Sequence, residues 1–257
     1  MKVDAVVLAG GDGAVIDPSC RFKGLLPIAG KPMVEWVVDA LDAAETVEQT
    51  AVVVPTAEDL GSWVDKVDKV VVSDREFMDN VLAGVASFRS ERPVLVATGD
   101  LPALTAEAVD DFVRSSLASG ADFTYPLVPK EDMIAAFPGS ERTYFKLVTG
   151  QFTGGNIALI EHAAAENNRG IGQRLFELRK SAVALVRILG LRFALKFVIG
   201  RLHPREVEAK MEELIGCSGA AVLSHYASIG MDVDKPADVA LVERVLCDTM
   251  AKPPGGG

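Results

Sequence analysis

The segment 3–13, VDAVVLAGGDG, joins a short apolar run to a glycine-rich turn. The run 3–8 is too short for a helix and too uniformly apolar for a strand with one exposed face, so it predicts a strand buried in a parallel sheet. The glycines that follow let the backbone turn and leave N–H groups free to hold phosphate oxygens. The pattern therefore predicts a nucleotide site at the end of the first strand.

Similar Val-rich runs recur along the first half of the chain and alternate with segments of helical spacing. The runs are 51–54, 70–72 and 94–97, and the helical segments are 33–44, 77–88 and a helix to about residue 117 with Thr105 as its N-cap. This βαβαβ order predicts an α/β protein whose mostly parallel sheet carries helices on both faces, in three layers.

The pattern changes after Gly120. The segments 123–128, 143–148 and 156–160 are typical of strands joined without long crossover helices, which predicts a mixed edge of the sheet. Helices are then expected over about 171–215, followed by a strand at 220–225 and a last helix at 236–246. Pro236 suits the first helical position, where its missing N–H needs no partner.

Composition restricts the class of protein further. The chain has 257 residues, 49% of them hydrophobic, which excludes intrinsic disorder. We expect one domain over 1–250 with a helical insertion at about 171–215, and a flexible tail at 251–257. A net charge of -10 argues against general nucleic-acid binding. Three cysteines without paired spacing and an N-terminal run of strand length predict a cytoplasmic protein.

Two common nucleotide-binding motifs do not match the chain. A dinucleotide-binding fingerprint needs a third glycine where Ile16 stands. The segment 24–31, GLLPIAGK, has five residues between its glycines and is followed by Pro32, whereas a P-loop has four residues there and then Ser or Thr. Neither a Rossmann-type NAD enzyme nor a P-loop ATPase is indicated.

The glycine turn together with the segment 23–32, KGLLPIAGKP, resembles the MobA-like NTP transferases, the molybdenum-cofactor guanylyltransferase-like branch of that group. The resemblance implies a GT-A type of fold in which the turn wraps the nucleotide. Lys23 would bind the phosphates and stabilise charge on the α-phosphoryl group, since such transfer relies mainly on positioning and charge neutralisation. The other nucleotide-binding residues of the turn would be Leu8, Ala9, Gly10, Gly11 and Gly13.

The loop departs from the family pattern at one position. Relatives carry an arginine that helps bind the pyrophosphate leaving group, and Val15 stands at the matching place. Arg21, in the longer loop before Lys23, is the candidate that takes over this catalytic role. Lys31 is either a second phosphate contact or a solvated lysine beside the turn.

Two aspartates are candidate Mg²⁺ ligands. Asp100 follows a predicted buried strand, at the strand end where open α/β sheets bind ligands, and it matches the family's metal motif. Asp232, in the segment 230–238, GMDVDKPAD, matches the residue that completes the family's metal site. Asp234 is either a supporting residue or the N-cap of the last helix, and Asp238 is expected to complement the dipole of that helix.

Base recognition is assigned to the start of the helix at 77–88. In related transferases a polar residue in the first turn of this helix contacts the base or the ribose, and Asn80 is our candidate. An asparagine near a helix start also occurs for structural reasons, so both interpretations stay open.

Acceptor recognition is assigned to the segment 149–156, TGQFTGGN, between two strand-like runs. Its glycines permit close approach of a bulky substrate, and the resemblance places an acceptor-contacting loop here. The acceptor residues would be Thr153, Gly154, Gly155 and Asn156. A glycine-rich hairpin turn is the alternative explanation.

The segment 179–205 is basic in an otherwise acidic chain. It has seven cations and no acid among many apolar residues: Arg179, Lys180, Arg187, Arg192, Lys196, Arg201 and Arg205. Charged residues near the bilayer centre cost about 2.5–3.5 kcal/mol each, which argues against a membrane span. The segment is either a basic amphipathic pair of helices that contacts a membrane surface or a lipid-like phosphorylated acceptor, or a helical lid or homodimer face.

These observations together predict a Mg²⁺-dependent nucleotidyltransferase. It would move an NMP group from an NTP to a phosphorylated acceptor and release pyrophosphate, with the acceptor phosphate as nucleophile. The chain has no Ser/His/Asp or Cys/His signature, in agreement with a reaction that needs no side-chain nucleophile. The alternatives are a GT-A glycosyltransferase, which the KGLLP segment disfavours, and a non-catalytic nucleotide-binding or membrane-associated regulatory module.

Overall fold

The computed structural model describes residues 1–58, 60–167 and 191–250. The strands are β1 (Val3–Leu8), β2 (Pro27–Ile28), β3 (Lys31–Pro32), β4 (Val47–Val54), β5 (Lys69–Val72), β6 (Val94–Thr98), β7 (Phe123–Pro129), β8 (Phe145–Leu147), β9 (Gly150–Gly154), β10 (Ile157–Ile160) and β11 (Gly219–Leu223). The helices are α1 (Met33–Asp42), α2 (Phe77–Val85), α3 (Ala106–Ser119), α4 (Lys130–Ala136), α5 (His162–Asn167), α6 (Leu191–Val198), α7 (Pro204–Ile215) and α8 (Pro236–Met250).

One mixed sheet takes nine of the described strands, in the order β5-β4-β1-β6-β10-β7-β9-β8 with β11 also paired to β7. β1 lies between β4 and β6 and runs parallel to both, so that Val6 is opposite Ala51 and Val96. β10 is antiparallel to β6 and β7, and β9 is antiparallel to β7 and β8. The predicted mostly parallel α/β sheet with a mixed edge is confirmed.

The central strand is covered on both faces. Ala5, Val6 and Val7 are fully buried, as the uniformly apolar run predicted. Successive side chains of a strand point to opposite faces. Ala5 and Val7 accordingly belong to an apolar cluster with α1 and α3, whereas Val6 packs in a second cluster with α2 and a residue of α5. The three-layer arrangement follows from this alternation.

A further apolar cluster joins the residues after Lys23 to the segment around Asp232. It contains residues of β2, the start of α1, α4, the chain before α8 and α8 itself. Its fully buried side chains include Ile28, Met33, Met231 and Val233. Because these side chains pack together, the two loops are held in a defined relative position. This cluster supports the candidate site from within the protein.

Three features after β7 differ from the predictions. β9 (Gly150–Gly154) is a strand inside the segment 149–156, which was predicted as a connection between two strands. The helix α4 follows β7 directly, where the pattern predicted only strands and turns. It has seven residues and buries only Met133, which is too little to show a helical period. β8 is shorter than the predicted strand 143–148, because Thr143 and Val148 are exposed and only the three residues Phe145–Leu147 pair with β9.

The helical insertion predicted at 171–215 is described only from Leu191 onward, where α6 and α7 lie. Arg179, Lys180 and Arg187 fall outside the described residues. Lys196 of α6 pairs with Glu206, the third residue of α7. The insertion's proposed role as a basic surface therefore stays a prediction.

Part of α6 is apolar and exposed. The side chains of Leu195 and Val198 are 60% and 81% exposed, whereas Phe197 stacks on Phe145 with ring centres 6.2 Å apart. No helix in the described ranges is long and apolar enough to cross a membrane. The membrane-surface or homodimer contact of this region stays a prediction.

Candidate active site

The glycine turn after β1 folds back so that Lys23 lies beside it. Gly11 adopts a positive φ of 91°, a conformation that favours glycine, and its carbonyl accepts a hydrogen bond of 3.0 Å from the Lys23 N–H. The N–H of Gly13 donates to the Arg21 carbonyl at 3.3 Å. These two hydrogen bonds close the loop between Gly13 and Arg21 and bring the predicted phosphate-binding lysine to the end of β1.

Lys23 connects two carboxylates that are distant in sequence. Its ammonium lies 2.5 Å from Asp100 Oδ2 and also contacts Asp234. The lysine side chain is 15% exposed. Burial lowers the pKa of Lys23, but the charges and hydrogen bonds of Asp100 and Asp234 outweigh burial and leave the pKa above its ordinary value. The lysine is therefore a permanently charged group in the site.

Three aspartates converge beside Lys23. Asp100 follows β6, while Asp232 and Asp234 precede α8, and one carboxylate oxygen of each lies within 4.8 Å of the others. The Val233 N–H donates to the Asp100 carbonyl at 3.1 Å, which ties the two segments together. Asp100 and Asp232 are 16% and 17% exposed, whereas Asp234 is 60% exposed. The predicted metal ligands thus lie together, with Asp234 at the solvent side.

The surroundings of Asp232 and Asp234 shift the pKa values of the two carboxylates in opposite directions. Burial raises the pKa of Asp232 to about 6; Arg142 opposes the rise, and the charges of Asp100 and Asp234 add to it. Burial also acts on Asp234, but hydrogen bonding and charge from Lys23 outweigh it and lower the pKa of Asp234. The ionised form of Asp232 is therefore disfavoured by its surroundings, whereas that of Asp234 is favoured.

The start of α8 resolves the alternatives left for Asp234 and Asp238. The N–H groups of Asp234 and Lys235 donate to Asp238 Oδ2 at 3.0 and 3.2 Å, and Asp238 is buried. Asp238 therefore stabilises the chain entering the helix by accepting hydrogen bonds, and does more than complement the dipole. The Asp234 carboxylate instead contacts Lys23.

Arg142 is a residue of the site that sequence reasoning missed. It lies in the loop between α4 and β8, and its guanidinium contacts the Asp232 carboxylate through Nη1 and the Asp232 carbonyl through Nη2. The arginine side chain is 11% exposed. No motif or fixed spacing connects Arg142 to Asp232, so the sequence carried no signal for this contact.

Arg21 and Lys31 contact residues other than the three aspartates of the cluster. Arg21 is exposed, with its guanidinium carbon 4.8 Å from the centre of the Phe22 ring. Lys31 pairs with Asp39 and lies 3.6 Å from the centre of the Trp36 ring. The phosphate contacts assigned to Arg21 and Lys31 stay predictions, and Lys31 would have to leave these partners to make one.

The side chain of Asn80 is engaged in the loop between β5 and α2. Its Oδ1 accepts from Ser73 Oγ at 2.7 Å and from the Arg75 N–H at 3.3 Å, and its Nδ2 donates to the Arg75 carbonyl at 2.9 Å. These hydrogen bonds connect Asn80 to the chain just before α2, which agrees with the structural interpretation of this residue. A contact with the base or the ribose stays a prediction.

The proposed acceptor segment packs closely against its own chain, and its first two residues, Thr153 and Gly154, belong to β9. A Cβ at Gly154 would lie 2.3 Å from Tyr125 Oη, and one at Gly155 would lie 2.4 Å from Ile229 Cγ2. The backbone carbonyl of Asn156 accepts from the Thr98 N–H, and the backbone N–H of Asn156 donates to the Ile229 carbonyl. Internal packing therefore accounts for both glycines, and acceptor binding by the segment from Thr153 to Asn156 stays a prediction.

The carboxylate cluster has the chemistry of a site for a hard divalent cation. Carboxylate oxygens are the ligands that Mg²⁺ uses together with substrate phosphates. Asp100 Oδ1 is buried and has no hydrogen-bond partner among the described residues, so it has a free coordination position. The residues present therefore fit such an ion, and Lys23 beside them fits the phosphates that would accompany it.

Comparison with known proteins gives a family match and a structural match. The family model of the MobA-like NTP transferase domain matches residues 5–219. That range includes Lys23, Asp100 and Arg142 and ends before Asp232. A hypothetical transferase from Thermus thermophilus has 37% sequence identity and a TM-score of 0.83, over 93% of this chain and 100% of that chain.

Two curated relatives are more distant. The bifunctional protein GlmU of Rhodospirillum rubrum is 29% identical over 254 residues, which is 95% of this chain and 53% of GlmU. The 2-C-methyl-D-erythritol 4-phosphate cytidylyltransferase of Neorickettsia sennetsu is 26% identical over 144 residues, which is 52% of this chain and 60% of that enzyme. The chain thus spans about half the length of the GlmU relative that it matches.

Proposed function

We propose a reaction for this chain from the premise that it belongs to the MobA-like NTP transferase family. The family resemblance and the GT-A type of fold predicted from the sequence agree with this membership and with the transferase of similar structure. The chain is accordingly an enzyme of the nucleotidyltransferase class. The identity of its acceptor and its metal requirement belong to the proposal.

The proposed reaction moves an NMP group from an NTP to a phosphorylated acceptor. An oxygen of the acceptor phosphate attacks the α-phosphorus, the bond from that phosphorus to the oxygen bridging to the β-phosphorus breaks, and pyrophosphate leaves with the bond's electron pair. No side chain forms a covalent intermediate. A phosphorylated acceptor is supported by the cytidylyltransferase relative, whose name specifies a 4-phosphate as its substrate.

The observation that carries the proposal is the position of Lys23 among three carboxylates at the end of the glycine turn. A charged ammonium held at a fixed point can neutralise the negative charge that spreads over the phosphates during transfer. Lys23 now contacts Asp100 and Asp234. Phosphate oxygens of an NTP would be an alternative partner of the same type, and the glycine turn would supply N–H donors beside it.

Asp100 and Asp232 are the residues that we assign to a Mg²⁺ ion. The free Oδ1 of Asp100 and the two neighbouring carboxylates of Asp232 and Asp234 support this assignment. When bound, the ion would neutralise phosphate charge and help orient the NTP. Asp234, which is more exposed, would remain the carboxylate partner of Lys23.

The proposal is tested by measuring pyrophosphate release from the four common NTPs, each with a panel of sugar phosphates and alditol phosphates. We expect one pairing to release pyrophosphate with Mg²⁺ and none to do so in EDTA. Sugars without phosphate are the matched controls for the acceptor. NTP binding without pyrophosphate release for any pairing would contradict the proposal and favour a non-catalytic nucleotide-binding module.

A further inference from the structure

We propose that Arg142 is a positioning residue that holds Asp232 in place for the divalent cation. This inference rests on the proposed function, because it assigns Arg142 to the same site. In the sequence Arg142 is far from the glycine turn and from the end of β6, and it reaches the site from the loop between α4 and β8.

The guanidinium of Arg142 contacts both the side chain and the main chain of Asp232. Nη1 contacts the carboxylate, while Nη2 contacts the carbonyl and lies 3.3 Å from Met231 Sδ. Such a two-pronged contact uses the planar fork of arginine, which fixes direction as well as charge. Lysine is a point charge on a flexible stem and cannot hold both groups of Asp232 in the same way.

Asp232 depends on Arg142 because Lys23, the other cation of the site, contacts Asp100 and Asp234. Lys23 contacts Asp100 and Asp234, and the ion pair that the structure gives Asp232 within the described residues is the one with Arg142. Three carboxylates within 4.8 Å repel one another, so an unpaired Asp232 would turn away from the cluster. Arg142 opposes that movement from the side of the α4–β8 loop.

A neighbouring contact supplies a matched control. Glu141, next to Arg142, pairs with Lys235, so two consecutive residues of the loop are joined to the segment that carries Asp232. Glu141 is 83% exposed, and exposed ion pairs contribute little to stability. Glu141→Gln therefore removes a contact of the same loop without touching a carboxylate of the cluster.

The first experiment measures metal binding without turnover. Titrations with Mn²⁺ alone, followed by the EPR signal of free Mn²⁺, would compare wild type with Arg142→Gln, Arg142→Lys and Glu141→Gln. We expect Arg142→Gln to weaken Mn²⁺ affinity by about 10–100-fold, the scale found when a group that orients a ligand is removed. Arg142→Lys should weaken it by at least about fivefold, and Glu141→Gln by less than about twofold.

The second experiment separates positioning from general damage. In the pyrophosphate assay, excess Mg²⁺ should restore most of the kcat of Arg142→Gln but not that of Lys23→Ala. Thermal unfolding in EDTA checks that each variant is folded, and if Arg142→Gln is unfolded, Arg142→Lys decides the question.

Three outcomes would overturn the inference: wild type that binds no Mn²⁺, an arginine variant that binds it like wild type, or an equal loss in Glu141→Gln. The Mn²⁺ titration does not depend on catalysis. Wild type that binds Mn²⁺ but releases no pyrophosphate would therefore count against the proposed function alone.

Discussion

The ammonium of Lys23 lies 2.5 Å from Asp100 Oδ2, although the two residues are 77 positions apart in the chain. Lys23 follows the glycine turn after β1, and Asp100 follows the neighbouring parallel strand β6. Parallel neighbours end at the same edge of a sheet, so the loops that leave them meet. Under the proposed function, the pair would place a cation for phosphate and a carboxylate for a metal ion at one point.

Lys23→Ala is expected to lower kcat by at least about a hundredfold, the scale lost when one preorganised charge-stabilising group is removed. Lys31→Ala is the matched control, because that lysine contacts Asp39 and Trp36 outside the cluster, and it should change kcat by less than about threefold. Steady-state pyrophosphate release measures both. Equal losses in the two variants would show that Lys31 also contacts the phosphates.

The same Lys23→Ala variant should be less stable than wild type without metal. Lys23 neutralises Asp100 and Asp234, and its loss leaves partly buried carboxylates that repel one another. We expect the Tm in EDTA to fall by several degrees, at about 2–4 °C for each kcal/mol, and the difference to shrink in Mg²⁺. Calorimetry in both buffers measures this, and a deficit that Mg²⁺ does not reduce would argue against metal binding by these carboxylates.

Replacement of Asp100 or of Asp234 by the uncharged asparagine should lower kcat to different extents. Asp100→Asn removes the negative charge of a carboxylate whose buried Oδ1 has no partner in the described part of the chain, and we expect a loss of at least about a hundredfold in kcat. Asp234→Asn alters a largely exposed side chain, so a loss of about tenfold is expected. Pyrophosphate release across a Mg²⁺ titration compares them, and the reverse order would assign the metal to Asp234.

The stability of the metal-free protein should depend on the ionisation of Asp232. Its pKa is raised to about 6, so the folded protein holds this proton more tightly than the unfolded chain does. The resulting stabilisation is present below about pH 4 and is lost as the pH rises through about 6. Asp232→Asn lacks this titration. As the pH rises through that window, the unfolding free energy of wild type should fall relative to that of Asp232→Asn by up to about 1.4 kcal/mol per pH unit.

Urea unfolding of both proteins in EDTA from pH 4 to pH 7.5 measures this difference. Asp232→Asn also lacks the ion pair with Arg142, which lowers its stability by a constant amount at every pH above the titration. The raised pKa is therefore tested by how the difference in unfolding free energy between the two proteins changes with pH. Parallel curves for the two proteins would contradict the raised pKa.

Gly155→Ala should destabilise the protein by about 1–3 kcal/mol, since the added methyl group would meet Ile229 and Pro126 at under 3 Å. Gly219→Ala in β11 is the control, because its Cβ would meet nothing closer than 3.9 Å. That variant should be neutral or slightly stabilised. Urea unfolding compares them, and unchanged stability of Gly155→Ala would favour a role for Gly155 in acceptor binding instead.

Much of the fold was predictable from local patterns. Mostly apolar runs identified β1 and β6 as buried strands, because both faces of a central strand are covered. Asp4 of β1 is also buried, and it pairs with Arg92. Thr105 was recognisable as an N-cap, and its side chain does accept from the Ala108 N–H. The glycine turn and Asp100 were predicted to belong to the site because each follows a buried strand, whereas Lys23 was predicted from the resemblance of the segment 23–32 to the family. The structure brings Lys23 and Asp100 together, and their roles stay predictions.

The contacts between these segments were decided by the tertiary structure. Arg142 and Asp232 are 90 positions apart, and no periodicity or spacing relates them. Asp234 and Asp238 were both plausible partners for the start of α8, and packing gave that role to Asp238 while Asp234 turned to Lys23. Local sequence encodes backbone hydrogen bonding and burial within an element, whereas the pairing of side chains from three separate loops depends on where the sheet and the apolar cluster beneath those loops bring them together.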